Sequence, residues 1–155
     1  MDDADRPKVL LVCSSGGHLA QLMALESWWS SLRRTWVTFD KVDAISILKG
    51  EDVVWAYHPT TRNIPNLIRN LFLAVRTIRR LRPDIIISSG AAVSFPFFLV
   101  GKLFRIPTCF IEVYDYIEHR TLSGRLCRPI SDLFLVQWEE QLELYPKAQL
   151  IGRLL

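Results

Sequence analysis

Only three cysteines occur in the 155 residues, Cys13, Cys109 and Cys127, and none stands in a CxxC or other zinc spacing. An odd count is poor material for a disulfide framework, so the three read as buried thiols in a reducing compartment. No uncharged apolar run reaches the roughly 18 residues that a membrane-spanning helix needs. The longest candidate, 91–101, is short and interrupted by Pro96. The first residues, Met1-Asp2-Asp3-Ala4-Asp5-Arg6-Pro7, are acidic and polar, the reverse of a secretory leader. There is no Gly-Lys-Ser/Thr of a Walker loop and no GxGxxG of a dinucleotide fold. Repeats, low-complexity tracts and linkers are missing too. What remains is a cytoplasmic chain folding as one compact domain over residues 1–155.

Half of the residues are apolar and 23% are charged, enough for a true core. The formal charge of +3 is too mild to demand nucleic acid unless the basic residues cluster. The run 8–13 is apolar throughout and breaks into Ser14-Ser15-Gly16-Gly17, as a strand buried on both faces does before a tight turn. Helical spacing follows over 18–31, then strands at 35–39 and 53–56 with a loop and partial helix between them. The longest helical pattern, 64–81, is closed by Arg82-Pro83. A strand at 84–88 repeats the first theme, running into Ser88-Ser89-Gly90 and a helix over 92–104. Strands at 107–113, 133–136 and 149–151 alternate with helices at 122–128 and 138–144. This alternation predicts an α/β, Rossmann-like, doubly wound and mostly parallel sheet with helices on both faces. Ligands of such sheets lie at the carboxyl ends of the strands.

Ser14, Ser15, Gly16 and Gly17 form a loop at a helix start, which suits a phosphate or diphosphate but also fits a plain turn. His18, in the first turn of that helix, faces the same crevice; a helix start favours neutral imidazole, as a general base near pH 7 requires. Ser89, Gly90 and Ala91 offer a second small-residue cradle, or simply tight helix-on-sheet packing. Glu112 follows the fifth strand, where a carboxylate can act as base or hold a sugar hydroxyl. Asp40 stands at about the distance of a ribose-binding acid. His58 and His119 read as ordinary loop residues.

Between 53 and 83 the only charged side chains are arginines. At about 100° per residue, Arg62, Arg69, Arg76 and Arg80 fall in a stripe roughly 40° wide. Leu73 lies inside the stripe and Phe72 at its margin, while Ile64, Leu67, Leu71, Ala74, Ile78 and Leu81 face the sheet. Arginines with exposed apolar neighbours suit an anionic membrane surface; no stacking platform or base-reading motif points to nucleic acid. The helix around Phe97 and Phe98 is apolar nearly all round and is flanked by Lys102 and Arg105, which fits either a dip into the membrane interface or core burial.

The segments Cys-Ser-Ser-Gly-Gly-His-Leu (13–19), Ser-Ser-Gly-Ala-Ala (88–92), Phe-Ile-Glu-Val-Tyr-Asp (110–115) and Asp-Leu-Phe-Leu-Val-Gln-Trp (132–138) resemble PssD-type exopolysaccharide glycosyltransferase subunits. These are similar to the membrane-recruiting subunit of the eukaryotic N-acetylglucosaminyltransferase of the dolichol pathway, and to the N-terminal half of MurG-type GT-B enzymes. The resemblance implies a lobe that meets a polyprenyl-diphosphate-linked sugar acceptor, peripheral on the inner face of the plasma membrane. It implies His18 or Glu112 as base, Gly16 and Gly17 near the acceptor diphosphate, and no bound metal or other cofactor. The family's acid shortly after the histidine is replaced here by Ala20-Gln21. Two such lobes make roughly twice this length, so a separate donor-domain, UDP-sugar-binding partner is expected. A stand-alone nucleotide-binding module and a non-catalytic membrane scaffold are the alternatives.

Overall fold

A computed structural model describes residues 6–155; of the acidic start read over residues 1–7, the first five lie outside the described residues. The apolar runs become seven strands: β1 (Lys8–Val12), β2 (Arg33–Thr38), β3 (Val53–Trp55), β4 (Ile85–Ser88), β5 (Thr108–Ile111), β6 (Leu133–Val136) and β7 (Gln149–Leu150). They pair in parallel in the order β3-β2-β1-β4-β5-β6-β7, the expected doubly wound sheet. Alternate strand residues feed two cores because successive side chains leave opposite faces of a sheet. Val9, Leu11, Trp36 and Ile111 pack with α1 (Gly17–Met23), α2 (Glu26–Trp29) and α3 (Val42–Ile47). Leu10, Val12, Ile86 and Phe110 pack on the other face with α4 (Ile64–Leu81), α5 (Ser94–Leu103), α6 (Leu122–Cys127) and α7 (Glu139–Leu144). All three cysteines are buried free thiols; burial pushes each up to about 12.

The helix expected over 64–81 forms with those bounds. Asn63 caps it by accepting from the Asn66 N–H at 2.9 Å, Pro65 fits its first turn, and Arg82 ends it in a left-handed conformation before Pro83. The helical pattern over 18–31 is instead broken in two at Ala24-Leu25. The bend lets the Trp29 indole N–H reach the Leu22 carbonyl at 2.7 Å and sets its ring edge-on to Trp36, with centroids 5.4 Å apart.

The surface reading needs four corrections. Arg62 precedes the α4 cap with φ of 51°, so helical spacing does not place it. Ile64 is 68% exposed and Leu67 is exposed as well, so the first turns of α4 do not put these two side chains on the sheet. Leu73 is half-buried and packs against the core. Phe97 and Phe98 are wholly buried: α5 is apolar all round because it is wrapped, with Phe98 edge-on to Phe110 at 5.9 Å. At its end only Leu103 and Phe104, beside Lys102 and Arg105, reach the surface.

Candidate functional site at the switch point

Neighbouring strands β1 and β4 send their following helices to opposite faces of the sheet, which opens a crevice at their carboxyl ends. A cleft of about 430 Å³ lies there, lined by Gly17, His18, Gln21, Gly90 and Ala91 on one side and by Glu112, Tyr114, Asp115 and Arg120 on the other.

His18 is held from both sides. Its Nδ1 is 2.8 Å from the Ser89 carbonyl oxygen, and the Ser89 hydroxyl donates back to the His18 carbonyl at 2.6 Å. A carbonyl can only accept, so Nδ1 carries the proton and Nε2 presents a lone pair. The ring lies so close to Gly90 that a Cβ there would stand 2.7 Å from Cε1, and Gly90 has φ of 122°. Only glycine meets both demands. Burial lowers the imidazole pKa, against the opposing influence of the Ser89 bond and the Asp115 charge, so the ring is neutral at pH 7.

The loop over 14–17 is less open than an anion cradle would be. Gly16, with φ of 78°, donates its N–H to Asp43 Oδ2 at 2.7 Å, and the Ser14 hydroxyl turns to the Ser15 carbonyl at 3.3 Å. Ser14, Ser15 and Gly16 do not line the cleft; Gly17 does. No N-cap side chain accepts from the first-turn N–H groups of α1, which have no intrahelical acceptors of their own. The second expected cradle serves itself. The Gly90 N–H donates to Ser88 Oγ at 3.1 Å, the Ser94 hydroxyl donates to the Gly90 carbonyl at 2.7 Å, and the two hydroxyls meet at 2.5 Å. Ser89 and Gly90 therefore position His18; of that segment Gly90 and Ala91 reach the cleft wall.

Glu112 departs from expectation. It is wholly buried, and both carboxylate oxygens are engaged. Oε1 accepts from the Val113 N–H at 3.0 Å and from Thr121 Oγ at 3.0 Å; Oε2 accepts from Thr121 at 3.1 Å and from the Tyr145 hydroxyl. A Cβ at Gly124 would collide with Glu112, Tyr145 and Thr121, so α6 packs directly on this knot. Desolvation raises the Glu112 pKa and the Tyr145 pKa with it. The carboxylate ties the 113–121 segment to α6 and α7 and has no free oxygen for a proton in the cleft. Asp40, on the surface, accepts from His58 Nε2 at 2.7 Å through one of its two carboxylate oxygens, and that bond holds its carboxyl below the usual range.

Gln21 and Tyr114 stand in segments that the sequence singles out, without a role assigned to them there, and Arg120 stands outside those segments. The signal for Gln21 was its place one turn after His18 on one helix face; Arg120, with its guanidinium 5.6 Å from the Tyr145 ring centre, carried no local signal. Among the described residues no three His, Cys, Asp or Glu side chains cluster as metal ligands. No described helix is long and apolar enough to cross a membrane.

A parallel strand hands its chain to a helix that runs back, so α3 and α4 both begin at the cleft end of the sheet. α3 leaves Val42 and Ile45 exposed, and on the opposite face of the sheet α4 leaves Ile64, Ile68 and Phe72 exposed; Trp55 and Tyr57 of the edge strand and its loop are exposed as well. Phe72 is 72% exposed. Arg69 stands over Tyr57 at 5.8 Å, and Arg76, Arg79 and Arg80 follow along the helix. Leu103, Phe104, Lys102 and Arg105 sit where α5 ends, away from the cleft.

Residues 41–154 match the family described as "Oligosaccharide biosynthesis protein Alg14 like". The chain belongs to this Alg14-like family. The UDP-N-acetylglucosamine transferase subunit ALG14 of Mus musculus is 23% identical over 179 residues, spanning 95% of this chain and 82% of its own length. The protein of the same name from Candida albicans is 25% identical over 169 residues, with 94% and 77% covered. Among solved structures, Acinetobacter baumannii MurG superposes with a TM-score of 0.74 at 14% identity, over 94% of this chain and 44% of that one. A UDP-GlcNAc 2-epimerase from Neisseria meningitidis bound to UDP-GlcNAc gives 0.67 at 14%, over 95% and 47%. At such identity the structural likeness establishes the fold, and this chain spans less than half of either protein. In the Alg14-like chain, then, the lobe shared with MurG carries its open histidine nitrogen at the switch point.

Proposed function

We propose that this chain is the acceptor-side, membrane-associated subunit of a UDP-N-acetylglucosamine-dependent glycosyltransferase that extends a polyprenyl-diphosphate-linked sugar, in lipid-linked oligosaccharide or exopolysaccharide synthesis. The single observation that carries it is His18: a neutral imidazole, fixed by Ser89 and Gly90, with Nε2 unclaimed in the cleft of an Alg14-like fold. The acceptor hydroxyl oxygen attacks the anomeric carbon of the nucleotide sugar. A new C–O bond forms, the bond to the nucleoside diphosphate breaks, and the hydroxyl proton passes to His18 Nε2. A donor-domain partner chain holds the UDP-sugar, as the word "subunit" in the relatives' names supports. The Arg120 guanidinium, on the cleft wall, supplies positive charge for the acceptor diphosphate. The basic-apolar face of α4, which begins at the end of the sheet where the cleft lies, rests on the cytoplasmic face of an anionic membrane. The alternative of a stand-alone dinucleotide module keeps only Asp40, one of whose carboxylate oxygens is held by His58, and has no GxGxxG turn behind it.

The test is transfer from UDP-N-acetylglucosamine to a polyprenyl-diphosphate-linked sugar by the purified chain, with and without the donor-lobe protein that copurifies with it. Turnover is expected from the pair and not from either alone. Full turnover by this chain alone contradicts the proposal.

A further inference from the structure

We infer that Gln21 reads the acceptor: its side-chain NH2 donates to an oxygen of the acceptor's sugar, next to the hydroxyl that His18 receives. The inference rests on the acceptor-side reading above and adds a residue and a subsite to it.

The direction of the Gln21 amide is dictated by backbone groups. Gln137 Oε1 accepts from the Leu154 N–H at 3.0 Å, and Gln137 Nε2 donates to the Glu112 carbonyl at 2.9 Å. A backbone N–H cannot accept and a carbonyl cannot donate, so this amide has one orientation. Its other N–H meets Gln21 Oε1 at 2.6 Å. Gln21 thus turns its oxygen inward and its NH2 the other way. The residue is 1% exposed and lines the cleft. No described group accepts from that NH2. Among the described residues the polar side-chain atom both sealed from solvent and unpartnered is Thr38 Oγ, so the Gln21 NH2 opens onto the cleft.

His18 and Gln21 are three residues apart on α1, which sets their Cβ atoms about 5–6 Å apart on one face. The cleft wall therefore shows an acceptor, His18 Nε2, and one turn on a neutral donor. An ionised diphosphate offers oxygens that only accept and leaves Nε2 unmatched. A sugar ring supplies the complementary pair, a hydroxyl that donates and a neighbouring oxygen that accepts. A nearly buried donor left unpaired also rejects ligands that lack that oxygen.

The experiment is calorimetric titration of the full chain with geranyl diphosphate carrying N-acetylglucosamine and with plain geranyl diphosphate. The unsubstituted chain is expected to favour the sugar-bearing probe by about tenfold or more. Gln21→Glu keeps an oxygen for Gln137 but turns the cleft-facing donor into an acceptor. It should bring that preference below about twofold; its carboxylate repels both diphosphates alike, so the ratio of the two affinities is what is read. Gln21→Met, similar in volume and without a donor, gives the same reading in a second folded background, with melting curves confirming both. A preference that survives in the variants, or an equal loss for both probes, overturns the assignment of Gln21 while the acceptor reading stands. Binding of neither probe by the unsubstituted chain overturns the acceptor reading and the Gln21 subsite together.

Discussion

At the ends of β1 and β4, a histidine, a serine and a glycine hold one another, and one ring nitrogen is left over. At the end of β5, a glutamate, a threonine and a tyrosine hold one another, and no polar atom is left over. Both regions are strand-end turns, both bury a titratable group, and in both a glycine admits the close approach. Burial shifts the two groups toward their neutral forms, the imidazole down and the carboxyl up. The difference lies in unspent hydrogen-bonding capacity. His18 is positioned and has a lone pair for a ligand; Glu112 is positioned and fully consumed. A perturbed titratable group marks a working site only when it keeps an atom to work with.

The largest effect should come from cutting the saturated knot. Glu112→Ala strands the Thr121 and Tyr145 hydroxyls and the Val113 N–H, and should lower unfolding free energy by about 3 kcal/mol in urea titrations. Glu112→Gln should recover most of that. Gly90→Ala attacks the other region, forcing a Cβ onto the imidazole at a left-handed φ; a loss of about 2 kcal/mol is expected, with the His18 ring resonances displaced in NMR spectra. The α4 face should be independent of both regions. Arg69→Ala with Arg76→Ala should leave stability within about 0.5 kcal/mol and weaken partition onto phosphatidylglycerol vesicles by about 1 kcal/mol per arginine.

The smallest effect is a pH signature with opposite signs. Folded His18 binds its proton less readily than the unfolded chain does. Its contribution is neutral above pH 6.5, and stability falls as pH drops from 6.5 through the lowered folded value. Folded Glu112 binds its proton more readily, so its contribution falls as pH rises from 4.5 through the raised folded value. Urea titrations from pH 4 to 8 should show the acid loss below 6.5 vanish in His18→Gln and persist in Glu112→Gln.

Much of the fold was legible because it rests on local signals. The α4 pattern, its cap and its proline stop coincide with the helix, and β6 matches the apolar run over 133–136. His18, Gly17 and Gly90 were legible as parts of strand-end turns, and the cleft gathers all three. What was illegible depends on partners far along the chain. Gln21 acquires its meaning from Gln137, 116 residues away, and Glu112 loses its catalytic promise to Tyr145, 33 residues away. Phe97 and Phe98 stayed open between a membrane face and the core, because a helix apolar all round looks the same whether lipid or protein covers it. The left-handed turn at Arg62 ended a stripe that periodicity alone would have continued.

The most direct measurement is the transfer rate of the proposed complex carrying His18→Gln, set beside the same complex carrying Glu112→Gln. The account predicts a fall of about 10²-fold or more for His18→Gln and less than about tenfold for Glu112→Gln, with complex formation intact in both. A His18→Gln enzyme that turns over at the unsubstituted rate would contradict it, and would leave this chain a scaffold rather than a participant in the chemistry.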